Sequence, residues 1–259
     1  MSRTPPRRYW LTGASNGIGA VLAEEILKTG AHLAASSRSV ASLISLSERY
    51  PGQVLVVAGD LTNSQRVREI GEQIAQEWGS LDTMILNAGT CEYVDANQLD
   101  SSIIEHIMRT NLLASSYCIA AARPLLQAGT APHLVGIASS VTWLPLPRAE
   151  SYGDSKAGLR HLFESLRIDM EPENIEMTVV SPGFIDTPLN DGVPIHLDWS
   201  AGQSARYLLD MIKNRPLEFS LPELLMPVLW PLPQQTDRAG LASTNKRETN
   251  RRSKICREA

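Results

Sequence analysis

Short, nearly continuous apolar runs alternate along the chain with longer segments whose apolar positions recur every three to four residues. The runs are Tyr9 to Leu11, His32 to Ser36, Val54 to Ala58, Thr83 to Leu86, Leu134 to Ala138 and Met177 to Ser181. Strands buried on both faces read this way, because neither face needs polar residues. Between the first two runs, Ile18, Val21, Leu22 and Ile26 share one helical face and Gly30 follows as a helix-ending residue, which predicts an amphipathic helix with a left-handed cap. Strand, helix and strand in succession predict parallel strands joined by right-handed crossovers. Their repetition predicts an α/β fold: a doubly wound parallel sheet with helices on both faces, in three layers α/β/α. The ligand crevice of such a sheet lies outside the carboxyl ends of its strands.

No internal repeat or long Gly/Ser linker interrupts residues 7 to 220, so a single domain is expected over 1–236. Within it, the stretch of about 188–200 carries Pro188 and Pro194 and reads as a mobile substrate loop. Pro216 to Ser220 is a short candidate for a last strand. The strip 221–233, LPELLMPVLWPLP, is apolar but holds four prolines and one Glu. It is therefore neither a regular helix nor a membrane span, and reads as an irregular C-terminal extension that covers an apolar substrate. Surface attachment to a membrane is the competing use of that strip. Residues 237–259 carry seven Lys/Arg against three Asp/Glu, a net +4 that leaves -8 for the preceding 236 residues; a basic, disordered tail is expected.

Composition narrows the function classes. With 43% hydrophobic and 20% charged residues among 259, the chain has enough apolar material for a large core, and it is neither collagen-like nor coiled coil. A formal charge of -4 supplies no global basic field, so no nucleic-acid partner is expected. Cys91, Cys118 and Cys256 are odd in number and widely spaced, which fits neither a disulfide framework nor zinc and suits a reducing compartment. The histidines His32, His106, His133, His161 and His196 stand alone, so no catalytic metal is expected. Arg3, Arg7 and Arg8 run directly into Tyr9 with no apolar signal segment, and a cytoplasmic location is expected.

The first run ends in Thr12-Gly13-Ala14-Ser15-Asn16-Gly17-Ile18-Gly19 and opens the first helix. A phosphate-binding turn must sit there, where backbone N–H groups and the helix dipole meet a pyrophosphate and a Cβ would block the approach. Tyr152 and Lys156 are four residues apart and share one face of a helix. A free tyrosine has a pKa near 10, and an adjacent ammonium favours its anion, which would make Tyr152 a workable acid/base at neutral pH. Thirteen residues before Tyr152, Ser139 ends a strand, where its hydroxyl can hydrogen-bond a carbonyl oxygen or developing alkoxide. The glycine spacing TGxxxGIG, with gaps of four and two, the NAG triplet Asn87-Ala88-Gly89, Tyr-x-x-x-Lys and Pro182-Gly183 occur in order at compatible distances. Residues 7 to about 220 thus resemble the short-chain dehydrogenase/reductase (SDR) family, whose fold is a Rossmann fold.

The resemblance implies roles for particular residues. Thr12, Gly13, Ser15, Asn16, Gly17, Ile18 and Gly19 would form the pyrophosphate turn. Asp60 and Leu61 would flank the adenine ring, and Asn87, Ala88 and Gly89 would pass close to the cofactor. Members that use NAD usually end the second strand in Asp; here Ser37 and Arg38 stand eighteen and nineteen residues after Gly19. A carboxylate would repel a 2′-phosphate whereas Arg38 offers it a charged fork, so NADP(H) is the expected cofactor and NAD(H) the alternative. Asn16 departs from NADP-using relatives, which often carry a basic residue at that place.

The family's catalytic set would be Asn111, Ser139, Tyr152 and Lys156. Asn111 would kink its helix, from Ile103 to Ala122, and hold a water that relays protons to Lys156, which in turn would bind the nicotinamide ribose. Of the neighbours Ser139 and Ser140, alignment through Pro147 to Tyr152 selects Ser139. Pro182, Gly183, Ile185 and Thr187 would meet the nicotinamide carboxamide. Asp154 replaces a small neutral residue; two positions after Tyr152 it lies about 200° around the helix and should face away. The implied activity is hydride transfer between NADP(H) and a carbonyl or alcohol carbon, with Tyr152 as general acid/base. Trp143, Leu144, Leu146 and Phe184 suggest apolar walls and hence a small hydrophobic substrate. A homodimer or homotetramer is implied, built through the helices near Ile103 to Ala122 and after Tyr152. The alternative function is a non-catalytic NADPH-binding regulator or sensor, for which the full catalytic set would be unnecessary.

Overall fold

The computed structural model describes residues 5–94, 99–143, 146, 148–183, 185 and 199–221. Its elements alternate throughout. Strand β1 (Arg8–Thr12) is followed by α1 (Gly17–Lys28), β2 (His32–Ser36), α2 (Val40–Arg49), β3 (Val54–Val56), α3 (Ser64–Trp78) and β4 (Thr83–Leu86). Then come α4 (Ser101–Met108), a π-helical turn (Arg109–Leu113), α5 (Ala114–Gln127), β5 (His133–Ile137), α6 (Glu150–Met170), β6 (Glu176–Pro182), α7 (Ala201–Asn214) and β7 (Glu218–Leu221). The strands form one sheet in the order β3-β2-β1-β4-β5-β6-β7, and every pairing is parallel. The reversal of strand order between β1 and β4 marks the crevice where ligands bind.

Residues alternate between the two faces of the sheet and build two cores. Trp10, Ala34, Met84 and Leu134 face Val67 and Ile70 of α3, Cys118 and Ala122 of α5, and Leu159 and Phe163 of α6. Their neighbours Leu11, Leu33, Ile85 and Val135 face Leu22 and Ile26 of α1, Leu43 of α2 and Leu208 of α7. This is the three-layer doubly wound arrangement, and each fully buried Leu, Ile or Phe contributes about 1.5–3 kcal/mol to it. Helix starts are set locally: the Asn63 side chain accepts from the N–H groups of Gln65 and Arg66 at α3, and Ser200 with Gln203 forms a reciprocal capping box at α7. Gly30, just past α1, has φ +84°, the left-handed conformation that closes the helix.

The expected helix from Ile103 to Ala122 is interrupted where Asn111 lies. There the backbone widens into the π-turn, and the Ser115 hydroxyl donates to the Asn111 carbonyl oxygen at 2.7 Å. Strand β3 ends at Val56 rather than Ala58, although Val57 and Gly59 still donate to Ala35 and Ser37 of the neighbouring strand's end. At the opposite end of the sheet from the crevice, His133 is buried. Thr178 Oγ1 donates to the Pro216 carbonyl at 2.6 Å, so the His133 Nε2 proton is the one shared with Thr178 across 2.8 Å. Burial pushes the His133 pKa down to about 3 and keeps the ring neutral. The expected tail 237–259, the strip after Leu221 and most of the loop 188–200 lie outside the described residues.

Candidate active site

At the carboxyl end of β1 the chain turns sharply against the segment after β4. Thr12 Oγ1 accepts from the N–H groups of Asn87 and Ala88, each at 3.0 Å, and Asn87 Nδ2 donates to the carbonyls of Thr12 and Gly13 at 3.1 and 3.2 Å. This lock requires glycine twice. A Cβ on Gly13, whose φ is +69°, would lie 2.9 Å from the Ala88 Cα, and one on Gly19 would lie 2.0 Å from the Gly13 carbonyl oxygen. Asn16 begins α1 without a side-chain cap, and the first turn holds no acidic residue. The positive end of the α1 dipole is thus met by no side-chain cap and no acidic residue of the first turn.

Beside this turn, Ser37 is buried and donates to the Ser39 carbonyl at 3.1 Å. Arg38 is exposed, and among the described residues no hydrogen bond or ion pair engages its guanidinium. Asp60 lies on the next loop; hydrogen bonds from the Thr62 N–H and hydroxyl hold its carboxyl below the usual value, assisted by Arg38. Leu61 beside it is buried. Arg66, from the first turn of α3, holds this loop by donating through Nε and a terminal nitrogen to the Ala58 carbonyl at 3.1 and 2.6 Å.

The four residues of the expected catalytic set converge on one region. Asn111 is fully buried and both ends of its amide are engaged: Oδ1 accepts from Thr90 N at 2.8 Å, and Nδ2 donates to the Thr90 carbonyl and to Ser155 Oγ, both at 2.9 Å. Ser155 in turn donates to the Tyr152 carbonyl at 2.8 Å. Gly89 lies against this cluster, since a Cβ there would come within 3.2 Å of Asn111 Oδ1 and 3.3 Å of Lys156 Nζ. The Ser139 hydroxyl is close enough to the Tyr152 phenol to favour its anion. Lys156 Nζ lies 5.8 Å from the centre of the Tyr152 ring and donates to the Ile137 carbonyl at 2.8 Å. Asp154 is exposed, on the far side of the helix from the buried Ser155 and Lys156.

The electrostatics differ from the simple expectation of a tyrosine activated by its lysine. Burial pushes the Tyr152 pKa up to about 12, with the Ser139 hydrogen bond acting in the opposite sense. Burial also brings Lys156 down to about 8. The ammonium is turned to the Ile137 carbonyl, so desolvation of the phenol outweighs its influence. Cys91, half-buried and held up at about 11 by burial, is the remaining titratable neighbour that both residues feel. Sequence reasoning treated Cys91 only as one of an odd number and passed over Ser155, although its place next to Lys156 on the Tyr152 helix was the available signal.

Pro182 and Gly183 border Ser139: the Ser139 hydroxyl reaches the Pro182 carbonyl at 3.5 Å, and Gly183 N donates to Leu221 at 2.7 Å. The Ile185 side chain is buried in the core beneath α1 and α7. Leu144, Phe184 and Thr187 lie outside the described residues. Trp143 has the Arg160 guanidinium stacked on its ring, 3.9 Å from the ring centre.

A family model described as short chain dehydrogenase matches residues 9–196. The chain is 34% identical over 187 residues to 11-beta-hydroxysteroid dehydrogenase A of Sesamum indicum, covering 70% of this chain and 53% of that one. It is also 30% identical over 245 residues to an uncharacterized oxidoreductase of Mycobacterium tuberculosis, covering 90% and 96%. The chain spans about half the length of the Sesamum indicum relative. Among solved structures, a short-chain dehydrogenase from Streptomyces avermitilis superposes with a TM-score of 0.80 at 19% identity over 92% of this chain and 96% of that one. One from Burkholderia cenocepacia, in complex with NADP, gives 0.79 at 23% identity over 91% and 95%.

Proposed function

The chain belongs to the short-chain dehydrogenase/reductase family, and from that premise we propose that it is an NAD(P)-dependent oxidoreductase, with NADP(H) preferred, acting on a carbonyl or alcohol carbon of a small hydrophobic substrate. The observation that carries this reading is the convergence of Asn111, Ser139, Tyr152 and Lys156 beside an uncapped, acid-free helix start. A binding module alone would need only the latter.

The donor set suits a dinucleotide. The N–H groups at the start of α1, with Thr12, Gly13, Ser15, Asn16, Gly17, Ile18 and Gly19 around them, would hold the pyrophosphate. Asp60 and Leu61 would border the adenine, and Asn87, Ala88 and Gly89 the middle of the cofactor. Arg38 beside Ser37 would take a 2′-phosphate, which an acidic residue there would repel. Pro182, Gly183, Ile185 and Thr187 would face the carboxamide. When bound, the reduced nicotinamide supplies a hydride; the rest of the chemistry belongs to the chain.

With a pKa near 12, Tyr152 is protonated at neutral pH, so its hydroxyl can donate a proton to a carbonyl oxygen as negative charge develops there. Ser139, beside that hydroxyl, would hold the same oxygen and share its charge. Lys156, near pKa 8 and buried, would move a proton toward Tyr152 or hold a ribose hydroxyl. Asn111 would keep the segment from Gly89 to Cys91 against Lys156. The steroid alcohol in the name of the Sesamum indicum relative agrees with a hydrophobic substrate class. Assembly as a homodimer or homotetramer belongs to the same reading. Among the described residues, no helix is long and apolar enough to cross a membrane.

The test is an equilibrium titration of the full chain with NADPH and NADH in parallel, followed by nicotinamide fluorescence and then by a panel of hydrophobic aldehydes and ketones. Tighter binding of NADPH and reduction of at least one carbonyl is the expected result. Tighter NADH binding would overturn the role of Arg38, and binding of neither would overturn the whole reading.

A further inference from the structure

We propose, on the reading of the active site given above, that Arg160 is a positioning residue: it fixes the turn that presents Ser139 to Tyr152. Arg160 follows Tyr152 and Lys156 at intervals of four residues along α6, so the three side chains occupy one stripe of that helix. Tyr152 and Lys156 engage Ser139 and the end of β5. Arg160 engages Trp143, which follows them closely in the chain, and Glu218 at the start of β7.

Its guanidinium is held on two sides. The Cζ lies 3.9 Å from the centre of the Trp143 ring. The edge is forked on Glu218 at the start of β7, with Nε to Oε1 at 3.1 Å and a terminal nitrogen to Oε2 at 3.0 Å, and Glu164 adds a contact at 2.9 Å. A bidentate, stacked arginine is fixed in orientation in a way that a single exposed ion pair is not.

Trp143 closes the 3₁₀ turn Ser140–Thr142 that begins at Ser139. The head of this turn is tied to Ser139: Thr142 N and Oγ1 donate to the Ser139 carbonyl at 3.1 and 2.9 Å, and Val141 N donates to its hydroxyl oxygen at 3.3 Å. Ser139 itself touches Pro182 at the end of β6. The preceding residue, Ser181, donates to Glu218 at 3.3 Å, which returns the path to Arg160. The turn is thus held at its head by β6 and Tyr152 and at its tail by Trp143 on Arg160. Release of the tail leaves Ser139 free to drift from the phenol, and a misplacement of about 1 Å in such an arrangement costs on the order of 100-fold in rate.

The experiment compares the full-length parent with Arg160→Met, Arg160→Lys, Trp143→Leu and the double variant Arg160→Met/Trp143→Leu. Amide hydrogen exchange of the peptide containing residues 139–143, read by mass spectrometry without nucleotide, requires no activity. Expected are exchange at least about ten-fold faster in Arg160→Met and in Trp143→Leu, and kcat lowered by about 10- to 100-fold in each. The NADPH Kd should stay within about two-fold, and the double variant should be no worse than the worse single one. Arg160→Lys, which keeps the charge but loses the fork and the stacked plane, should recover only part of kcat. Exchange within two-fold of the parent, an unchanged kcat despite faster exchange, or effects that multiply in the double variant would each overturn the proposal. A parent that binds NADPH but reduces no carbonyl would instead count against the oxidoreductase reading, and the exchange result would still decide whether Arg160 holds the turn.

Discussion

Replacing the buried lysine of the site by an uncharged residue of similar length should make the protein more stable while removing its activity. Lys156 is 4% exposed, and burial lowers its pKa from 10.5 to about 8. At about 1.4 kcal/mol per pH unit, keeping the ammonium in this site at neutral pH costs about 3 kcal/mol relative to the unfolded chain. Lys156→Met removes that cost but leaves the Ile137 carbonyl without its 2.8 Å donor, a loss of about 1–2 kcal/mol. The net gain is about 1–2 kcal/mol at pH 7, or about 2–8 °C in Tm for a chain of this size. The pH dependence supplies the sign check. Between about 8 and 10.5 the unfolded chain binds this proton and the folded chain does not, so the parent regains stability as pH rises through that window. Urea unfolding without nucleotide, at pH 7 and pH 10 and at one protein concentration, should show the variant ahead at pH 7 and its advantage gone by pH 10. A variant less stable than the parent at pH 7, or a gap that stays constant between the two pH values, would refute the reasoning.

The other predictions use the same site and its frame. Tyr152→Phe should reduce turnover by at least about 1,000-fold while the NADPH Kd, measured by fluorescence, changes by less than about three-fold, because only the transferable proton is removed. Gly19→Ala, which places a Cβ 2.0 Å from the Gly13 carbonyl, should abolish nucleotide binding in the same titration or unfold the first turn of α1, seen as a loss of cooperative melting. Arg38→Asp should invert the NADPH to NADH affinity ratio, and an unchanged ratio would remove the 2′-phosphate role. His133, with its pKa lowered from 6.5 to about 3, contributes stability that is complete above pH 6.5 and lost as pH falls toward 3; His133→Gln should flatten that part of an acid-unfolding curve followed by circular dichroism.

Much of the fold was legible because its physical causes are local. Continuous apolar runs such as Met84 to Leu86 can be accommodated only where both faces are covered, and the interval between Tyr152 and Lys156 places two side chains on one helical face wherever the helix lies. β7 was harder to read: it opens on Glu218, a charge that resembles a loop until its fork to Arg160 is seen. The direction of the Tyr152 shift was read the other way, because proximity to Lys156 shows in the spacing whereas desolvation and the competing Ile137 carbonyl depend on strands distant in sequence. The bonds of the Asn111 side chain to Thr90 and Ser155 join segments distant in sequence and could not be read from its position alone.

The π-turn at Arg109–Leu113 acts as a phase shifter in an otherwise continuous rod. One additional residue within a helical repeat advances everything after it by about 100°. The stripe of α4 that rests on α6 is thereby set out of step with the stripe of α5 that rests on α3, and a single rod serves neighbours that no uninterrupted helix could face together. Deleting one residue of the turn would bring the two halves back into step, swing one stripe away from its neighbour and carry the Asn111 carboxamide off Thr90. That one-residue surplus therefore sets how α4 and α5 are turned relative to one another.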